Sequence, residues 1–154
     1  MPLPDLHRAI AESYIAQGLA PEFVDRLVEI SEVREIPEGQ PIVSANEETF
    51  DLMLLVSGEG RILTVTDEFI GTIKAGMPFG EIAFLDRKPR SSAVIAGAST
   101  TIILWPEEKL RALFDSDPRA ASVALHNLCR VLCSRLRSAN QQIAALLAVE
   151  ESVL

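Results

Sequence analysis

Between positions 78 and 94 the chain sets Gly80 and Glu81 where a helix would begin. Arg90, Ser91 and Ser92 follow nine to eleven residues past that carboxylate. These residue types suit an anion. The first N–H groups of a helix lack partners within it and carry positive partial charge, so anions settle there. Glycine lets a ligand approach the backbone closely. Arginine supplies a planar, permanently charged fork that can grip two phosphate oxygens. Small or apolar residues at Ile82 and Ala83 are compatible with donation from their backbone N–H groups. Glu81 would stand beside the anion as an acceptor for a sugar hydroxyl. A plainer role for Glu81 is to complement the helix dipole, and a plainer role for Arg90 is a surface loop arginine beside Arg87 and Lys88. Taken together, the set meets the needs of a small sugar phosphate.

Several elements must position these groups. Residues 5–17 predict a helix with Leu6, Ile10, Tyr14 and Ile15 as its apolar stripe and Gly18 as its stop. Pro21 opens a second helix, with Phe23, Val24, Leu27, Val28 and Ile30 inward. From about 33 to 105 the pattern changes to short strands separated by turn residues. Residues 52–56 predict a buried strand, 61–66 an alternating one, 66–68 a reversal and 69–73 its partner. Residues 92–96 and 100–104 predict two more strands, split by Gly97, Ala98 and Ser99. Many short strands joined by glycine turns imply an antiparallel barrel or jelly roll. Pro106 then suits the first position of a helix with Leu110, Leu113 and Phe114 inward. Asp117 caps a long helix that runs to about Val149. Its apolar residues, among them Leu128, Leu132, Leu136, Ile143 and Leu147, occupy more than one face. Such a helix suits packing on its own domain and on a partner.

The stretch Phe79-Gly80-Glu81-Ile82-Ala83-Phe84, followed by Pro89-Arg90-Ser91-Ser92-Ala93-Val94, resembles the phosphate-binding cassette of the cyclic-nucleotide-binding domain family. That family includes catabolite activator proteins, protein kinase A regulatory subunits and cyclic-nucleotide-gated channels. The departures are Ser92 in place of the usual Ala, and Ala93 in place of Thr or Ser. Further likeness lies in Pro37-Glu38-Gly39-Gln40-Pro41-Ile42 and in Leu54-Leu55-Val56-Ser57-Gly58. The specific motifs thus fall within residues 36–94, and the general layout extends over nearly the whole chain.

The resemblance implies an α+β, mainly β fold: an antiparallel β-roll flanked by N-terminal helices and a long C-terminal helix. One domain would span 1–154, with helices at about 5–32, the roll at about 33–105 and C-terminal helices at about 106–150. It implies that Phe79, Gly80, Glu81, Ile82 and Ala83 form the cassette wall. Glu81 would take the ribose 2′-OH, and Arg90 and Ser91 the cyclic phosphate. Ser92 is either a second donor or a tolerated small strand residue. Ile62 and Ile70 fall where the family has apolar walls for the base, though both also fit an ordinary core. Ala139 and Asn140 fall where catabolite activators read the base. Asn140, with a donor and an acceptor, either reads the purine or is simply solvated. The ligand would be cAMP or cGMP, with no further cofactor. The C-terminal helix would re-pack on binding and form a homodimer seam, and an unidentified downstream protein would receive the signal. The family's transcription factors continue with a DNA-binding domain, so the chain resembles the sensor half alone.

Composition narrows the alternatives. Of 154 residues, 48% are hydrophobic, which predicts a folded domain with a core. The net charge of -8 argues against direct DNA binding, which needs a basic face. Arg130, Arg135 and Arg137 read as a solvated helix face. Charges interrupt every apolar run before it reaches membrane-spanning length, and Pro2, Pro4 and Asp5 replace any basic-then-apolar leader, so a cytoplasmic location is expected. His126, Cys129 and Cys133 can share a helical face. A metal, haem or redox role competes there with the ordinary reading of cysteine as a small apolar residue, which is preferred. No catalytic arrangement stands out, so the expectation is binding without chemistry. A fold of this family that acts through its long helix without nucleotide is the alternative.

Overall fold

Asp5 begins the first helix by accepting a hydrogen bond from the Arg8 N–H. The computed structural model describes residues 5–153. Residues 1–4 and 154, which the expected domain limits and the reading of Pro2 and Pro4 include, lie outside the described residues. Helix α1 (Leu6–Ala11) is shorter than the predicted 5–17 helix. The buried Ser13 hydroxyl donates to the Ile10 carbonyl at 2.6 Å, and the Tyr14 N–H goes to the Gly76 carbonyl at 3.0 Å. With those groups engaged elsewhere, the chain turns through a short 3-10 segment (Tyr14–Ala16). Tyr14 is therefore 59% exposed and not part of the apolar stripe. Helix α2 (Pro21–Glu29) buries Phe23, Val24 and Leu27, with Val28 and Ile30 half-buried beside them.

Eight antiparallel strands follow: β1 (Glu32–Ile36), β2 (Pro41–Val43), β3 (Leu52–Ser57), β4 (Gly60–Leu63), β5 (Phe69–Ile73), β6 (Pro78–Phe79), β7 (Ala93–Ala96) and β8 (Thr100–Trp105). They form two four-stranded sheets, ordered β1-β8-β3-β6 and β2-β7-β4-β5. Strand β4 ends at Leu63 rather than 66. The Thr64 hydroxyl there accepts from the N–H groups of Thr66 and Glu68, which starts the reversal two residues early. Helix α3 (Glu81–Asp86) interrupts the strands between β6 and β7. Helices α4 (Glu107–Ser116) and α5 (Pro118–Val153) complete the chain. Pro106 precedes α4 as its cap instead of opening it, and α5 runs four residues past the expected end.

Side-chain alternation along β3 and β8 divides the core. Leu52 and Leu54, with Ile103 and Trp105, face the helices and meet Ile10, Phe23, Leu27, Leu110 and Phe114. Met53 and Leu55, with Ile102 and Leu104, face the second sheet and meet Val43, Ile73, Phe79 and Val94. The period of two puts successive residues on opposite faces. The first sheet is covered on both sides, so its central strands read as continuous apolar runs. Gly58, between β3 and β4, has φ +91°, and an added Cβ would lie 2.5 Å from the Ser99 carbonyl oxygen. The turn therefore requires glycine.

Helix α5 is fixed to the N-terminal segment by Asn127. Its buried amide donates to the carbonyls of Ile15 and Gln17, both at 2.8 Å. Asn127→Ala would leave these carbonyls short of a partner and should lower stability by about 2–3 kcal/mol. The exposed substitution Gln141→Ala on the same helix should stay within about 0.5 kcal/mol. Urea unfolding of both variants measures the difference.

Candidate ligand-binding site

Gly80 turns the chain from β6 into α3. It sits in the left-handed region, with φ 78° and ψ 9°. An added Cβ would lie 2.8 Å from Arg90 Nη1, 2.9 Å from Met53 Cε and 3.0 Å from the Asp51 carbonyl oxygen. The glycine is thus needed both for the turn and for the close approach of Arg90. The first helical hydrogen bond of α3 runs from the Phe84 N–H to the Gly80 carbonyl, at 3.2 Å. The N–H groups of Glu81, Ile82 and Ala83 precede it and so lie ahead of any intrahelical acceptor.

Arg90 is only 5% exposed. Its backbone is held by the loop before β3, where its N–H donates to the Glu47 carbonyl at 2.9 Å and its carbonyl accepts from Asn46 at 2.8 Å. Its guanidinium donates to the Gly80 carbonyl at 2.9 Å, the Asp51 carbonyl at 2.9 Å and the Thr49 hydroxyl at 3.2 Å. Among the described residues no carboxylate forms a salt bridge with it. Burial pushes its pKa below the ordinary arginine value, while the more distant charges of Asp51, Glu47, Glu81 and Glu107 pull it back up. Three of its five N–H donors are engaged, which leaves donors for an anion. The side chain of Asp51 makes a separate link, accepting the Glu107 N–H at 2.8 Å and tying the start of α4 to the same strand end.

Glu81 is 2% exposed, and its carboxylate pairs with the Arg135 guanidinium of α5. Arg135 also donates to the Pro78 carbonyl at 2.8 Å. The expectation that Arg135 shares a solvated face with Arg130 and Arg137 is thereby corrected. The other two are exposed, but Arg135 reaches from α5 onto the cassette. Sequence separation hid the contact. One signal was available: Arg135 continues the inward stripe of Ala124, Leu128 and Val131, an unusual place for a charge.

These groups border a cavity of about 730 Å³ between the second sheet, α3 and α5. That volume is in the range that holds cofactor-sized ligands. Phe79, Gly80, Glu81, Ile82, Ala83, Arg90, Ser91 and Ser92 line it together with Ile62 and Ile70. Ser91 is exposed and Ser92 half-buried, and Ile70 lies near the rim at 39% exposure. Asn140 does not line the cavity; it is exposed on α5, while Ala139 and Gln142 border the space. The Gln142 amide donates to the Ile70 carbonyl at 2.8 Å and joins α5 to β5. Val43, Ile73, Val94 and Leu132 add apolar wall that sequence reasoning did not assign. One end of the cavity thus offers a fixed cation, backbone N–H groups, hydroxyls and a carboxylate, and the rest offers mainly apolar side chains. Among the described residues no group of three or more His, Cys, Asp or Glu is placed to hold a metal, and no helix is long and apolar enough to cross a membrane.

Residues 33–117 match the family model described as the cyclic nucleotide-binding domain. The Cyclic AMP receptor protein of Thermus thermophilus is 31% identical over 144 residues, which cover 91% of this chain and 64% of that protein. Glutaminase 1 of Bradyrhizobium diazoefficiens is 28% identical over 141 residues, covering 90% of this chain but 23% of that protein. The chain therefore spans under two thirds of either relative. The crystal structure of a cyclic nucleotide-binding domain from Methylobacillus flagellatus KT superposes with a TM-score of 0.83 at 20% identity, covering 90% of this chain and 83% of that one.

Gly80→Ala should cost about 1–3 kcal/mol of stability through the left-handed backbone and the crowding of Arg90. Denaturant unfolding of the variant beside the parent chain reads that loss.

Proposed function

Since this chain belongs to the cyclic nucleotide-binding domain family, we propose that it binds a cyclic nucleoside monophosphate, cAMP or cGMP, as a regulatory sensor. The observation that carries this reading is Arg90: a buried guanidinium, held only by neutral acceptors, on the wall of a cavity large enough for a nucleotide. A buried charge without a counter-ion favours an incoming anion. The cyclic phosphate takes the free donors of Arg90, the N–H groups at the start of α3 and the Ser91 hydroxyl, with Ser92 as a further donor. The base lies against Ile62, Ile70 and the apolar wall. Glu81 takes the ribose hydroxyl.

Glu81 is already paired with Arg135. A sugar hydroxyl at Glu81 therefore has to share that carboxylate with α5 or displace Arg135 from it. This gives the ligand a differential interaction with two placements of the helix, which a population shift requires. Re-packing of α5 passes the signal to a second copy of the chain and to a downstream protein in the cytoplasm. The role is binding without chemistry; the glutaminase match covers under a quarter of that enzyme and carries no activity across.

The same ion pair favours a second reading. With Glu81 satisfied by Arg135, the fold can serve as an interaction module that needs no nucleotide.

Calorimetric titration of nucleotide-stripped protein with cAMP and with cGMP separates the two. Saturable binding near one ligand per chain supports the sensor, and the ratio of affinities names the messenger. Absence of heat at several temperatures, with no rise in melting temperature, supports the interaction module. Arg90→Ala should lose about 1.5–3 kcal/mol of binding, roughly 10- to 150-fold in Kd. An unchanged affinity in a folded Arg90→Ala protein would refute the phosphate role.

A further inference from the structure

Helix α5 carries a second, exposed pattern beside the stripe that faces its own domain. Cys129, Cys133, Leu136, Asn140, Ile143 and Leu147 follow one another in alternating steps of four and three residues. All six are exposed, Leu136 at 63% and Ile143 and Leu147 at 55% each. The inward stripe, with Ala124, Leu128 and Val131 buried and Arg135 and Gln142 reaching onto the cassette and β5, faces the domain. At about 100° per residue the two stripes are centred about 130° apart on the helix, and Leu136, towards the edge of the exposed one, also borders the cavity. The exposed one has the spacing of a two-stranded coiled-coil seam, in which Cys129, Leu136 and Ile143 would take one set of core positions and Cys133, Asn140 and Leu147 the other. The repeat runs out at Glu150, where a carboxylate takes the next place.

Asn140 selects the occupant of this seam. A lone asparagine at that core position costs stability but finds a partner when it meets an identical asparagine, which happens in a parallel, in-register pair of identical helices. In that arrangement a two-fold axis runs along the seam, and every seam residue faces its own copy. Helix axes about 8–10 Å apart, with Cα atoms about 2.3 Å off each axis, bring facing Cα atoms to roughly 3.4–5.4 Å, and the upper part of that range suits a disulfide. Disulfides need about 4.4–6.8 Å. Within one chain the alternative fails, since side chains four residues apart on a helix have Cβ atoms about 5–6 Å apart, whereas a disulfide needs about 3.5–4.5 Å.

We infer that Cys129 and Cys133 form a thiol switch across the seam of two parallel copies of this chain, closed by a low-molecular-weight disulfide. The inference rests on the dimer in the proposed function and adds a covalent state to it. A thiolate of one chain attacks the small disulfide, releases one small thiol and becomes a mixed disulfide. The facing thiolate of the second chain then attacks the protein sulfur of that mixed disulfide and releases the other small thiol. Two protein thiols are oxidised to one interchain disulfide, and the small disulfide is reduced to two thiols. Each attacking thiol gives up a proton, and each departing thiolate takes one up. The linked dimer no longer dissociates on dilution. The lock lies within two turns of Arg135, which holds Glu81, so thiol oxidation fixes the helix on which the ligand acts.

The test uses the purified, reduced chain treated with oxidised glutathione, quenched with N-ethylmaleimide, and followed by non-reducing electrophoresis and peptide mass mapping. The expected product is a reductant-reversible dimer joined Cys129 to Cys129 or Cys133 to Cys133, abolished when both cysteines become serine. Ile143→Glu combined with Leu147→Glu leaves the thiols intact and should slow cross-linking at least tenfold. A mixed disulfide with glutathione alone, a Cys129–Cys133 bond within one chain, or cross-linking indifferent to the glutamate pair would overturn the inference. Sedimentation of the reduced protein keeps the two proposals apart. A reduced dimer that never cross-links refutes the switch and leaves the dimer standing. A monomer under all conditions refutes both the switch and the dimer, and leaves nucleotide binding to its own titration.

Discussion

The burial of the Arg90 guanidinium constrains everything around it. Removing a full positive charge from water costs several kcal/mol even after relaxation. The fold meets that cost with acceptors drawn from separate places in the sequence: the Gly80 carbonyl before α3, the Asp51 carbonyl before β3 and the Thr49 hydroxyl. Each bond to a charged group contributes about 1.5–3 kcal/mol. None of these acceptors carries a charge, so the cation is held in position without being neutralised. The left-handed turn at Gly80 follows from the same demand, because it brings a carbonyl to the guanidinium and leaves no room for a side chain. Distant carboxylates moderate the charge without contacting it.

The two-sided first sheet sets the geometry in which that charge operates. Strands β3 and β8 present one row of side chains to the helices and the other to the second sheet. The cavity opens on the second sheet, and the helical layer lies on the far side of the first. Polar links cross between these regions. Asp51 joins the strand end that holds Arg90 to the start of α4. Arg135 and Gln142 join α5 to the cassette and to β5. Both helices that follow the roll are thus connected to the cavity wall by hydrogen bonds rather than by apolar packing alone. Hydrogen bonds are directional, so a change at the wall alters their geometry before it alters the core.

Local spacing made much of this legible. Glycine, carboxylate and arginine within one short segment announced the cassette, because a helix start and a loop arginine are both local events. The buried strand at 52–56 and the strands flanking Gly97 were equally visible, since alternation and turn residues act over a few positions. What was hidden depended on long-range partners. The first helix breaks because the Tyr14 N–H finds Gly76 across the molecule. Strand β4 stops early because Thr64 captures two N–H groups, a competition between side chain and ladder that composition does not reveal. Arg135 looked solvated beside Arg130 and Arg137 until the turn of α5 was known. Asn140, two residues from a cavity-lining glutamine, faces away from the cavity because a helix turns about 200° in two steps.

The position of the only tryptophan also bears on how the molecule can be observed. Trp105 is fully buried, and its indole N–H donates to the Ser31 hydroxyl at 2.9 Å, on the helical side of the first sheet. That hydroxyl in turn donates to the Leu27 carbonyl at the end of α2. The indole is therefore a built-in optical reporter of the helical layer. Its emission responds to polarity and hydrogen bonding where α2 meets the sheet, and a molecule in the cavity on the other side reaches it only by moving the helices. A spectral change on adding a ligand would thus signal rearrangement of the helical layer, and an unchanged spectrum would be compatible with a filled cavity beneath a stationary helical cover.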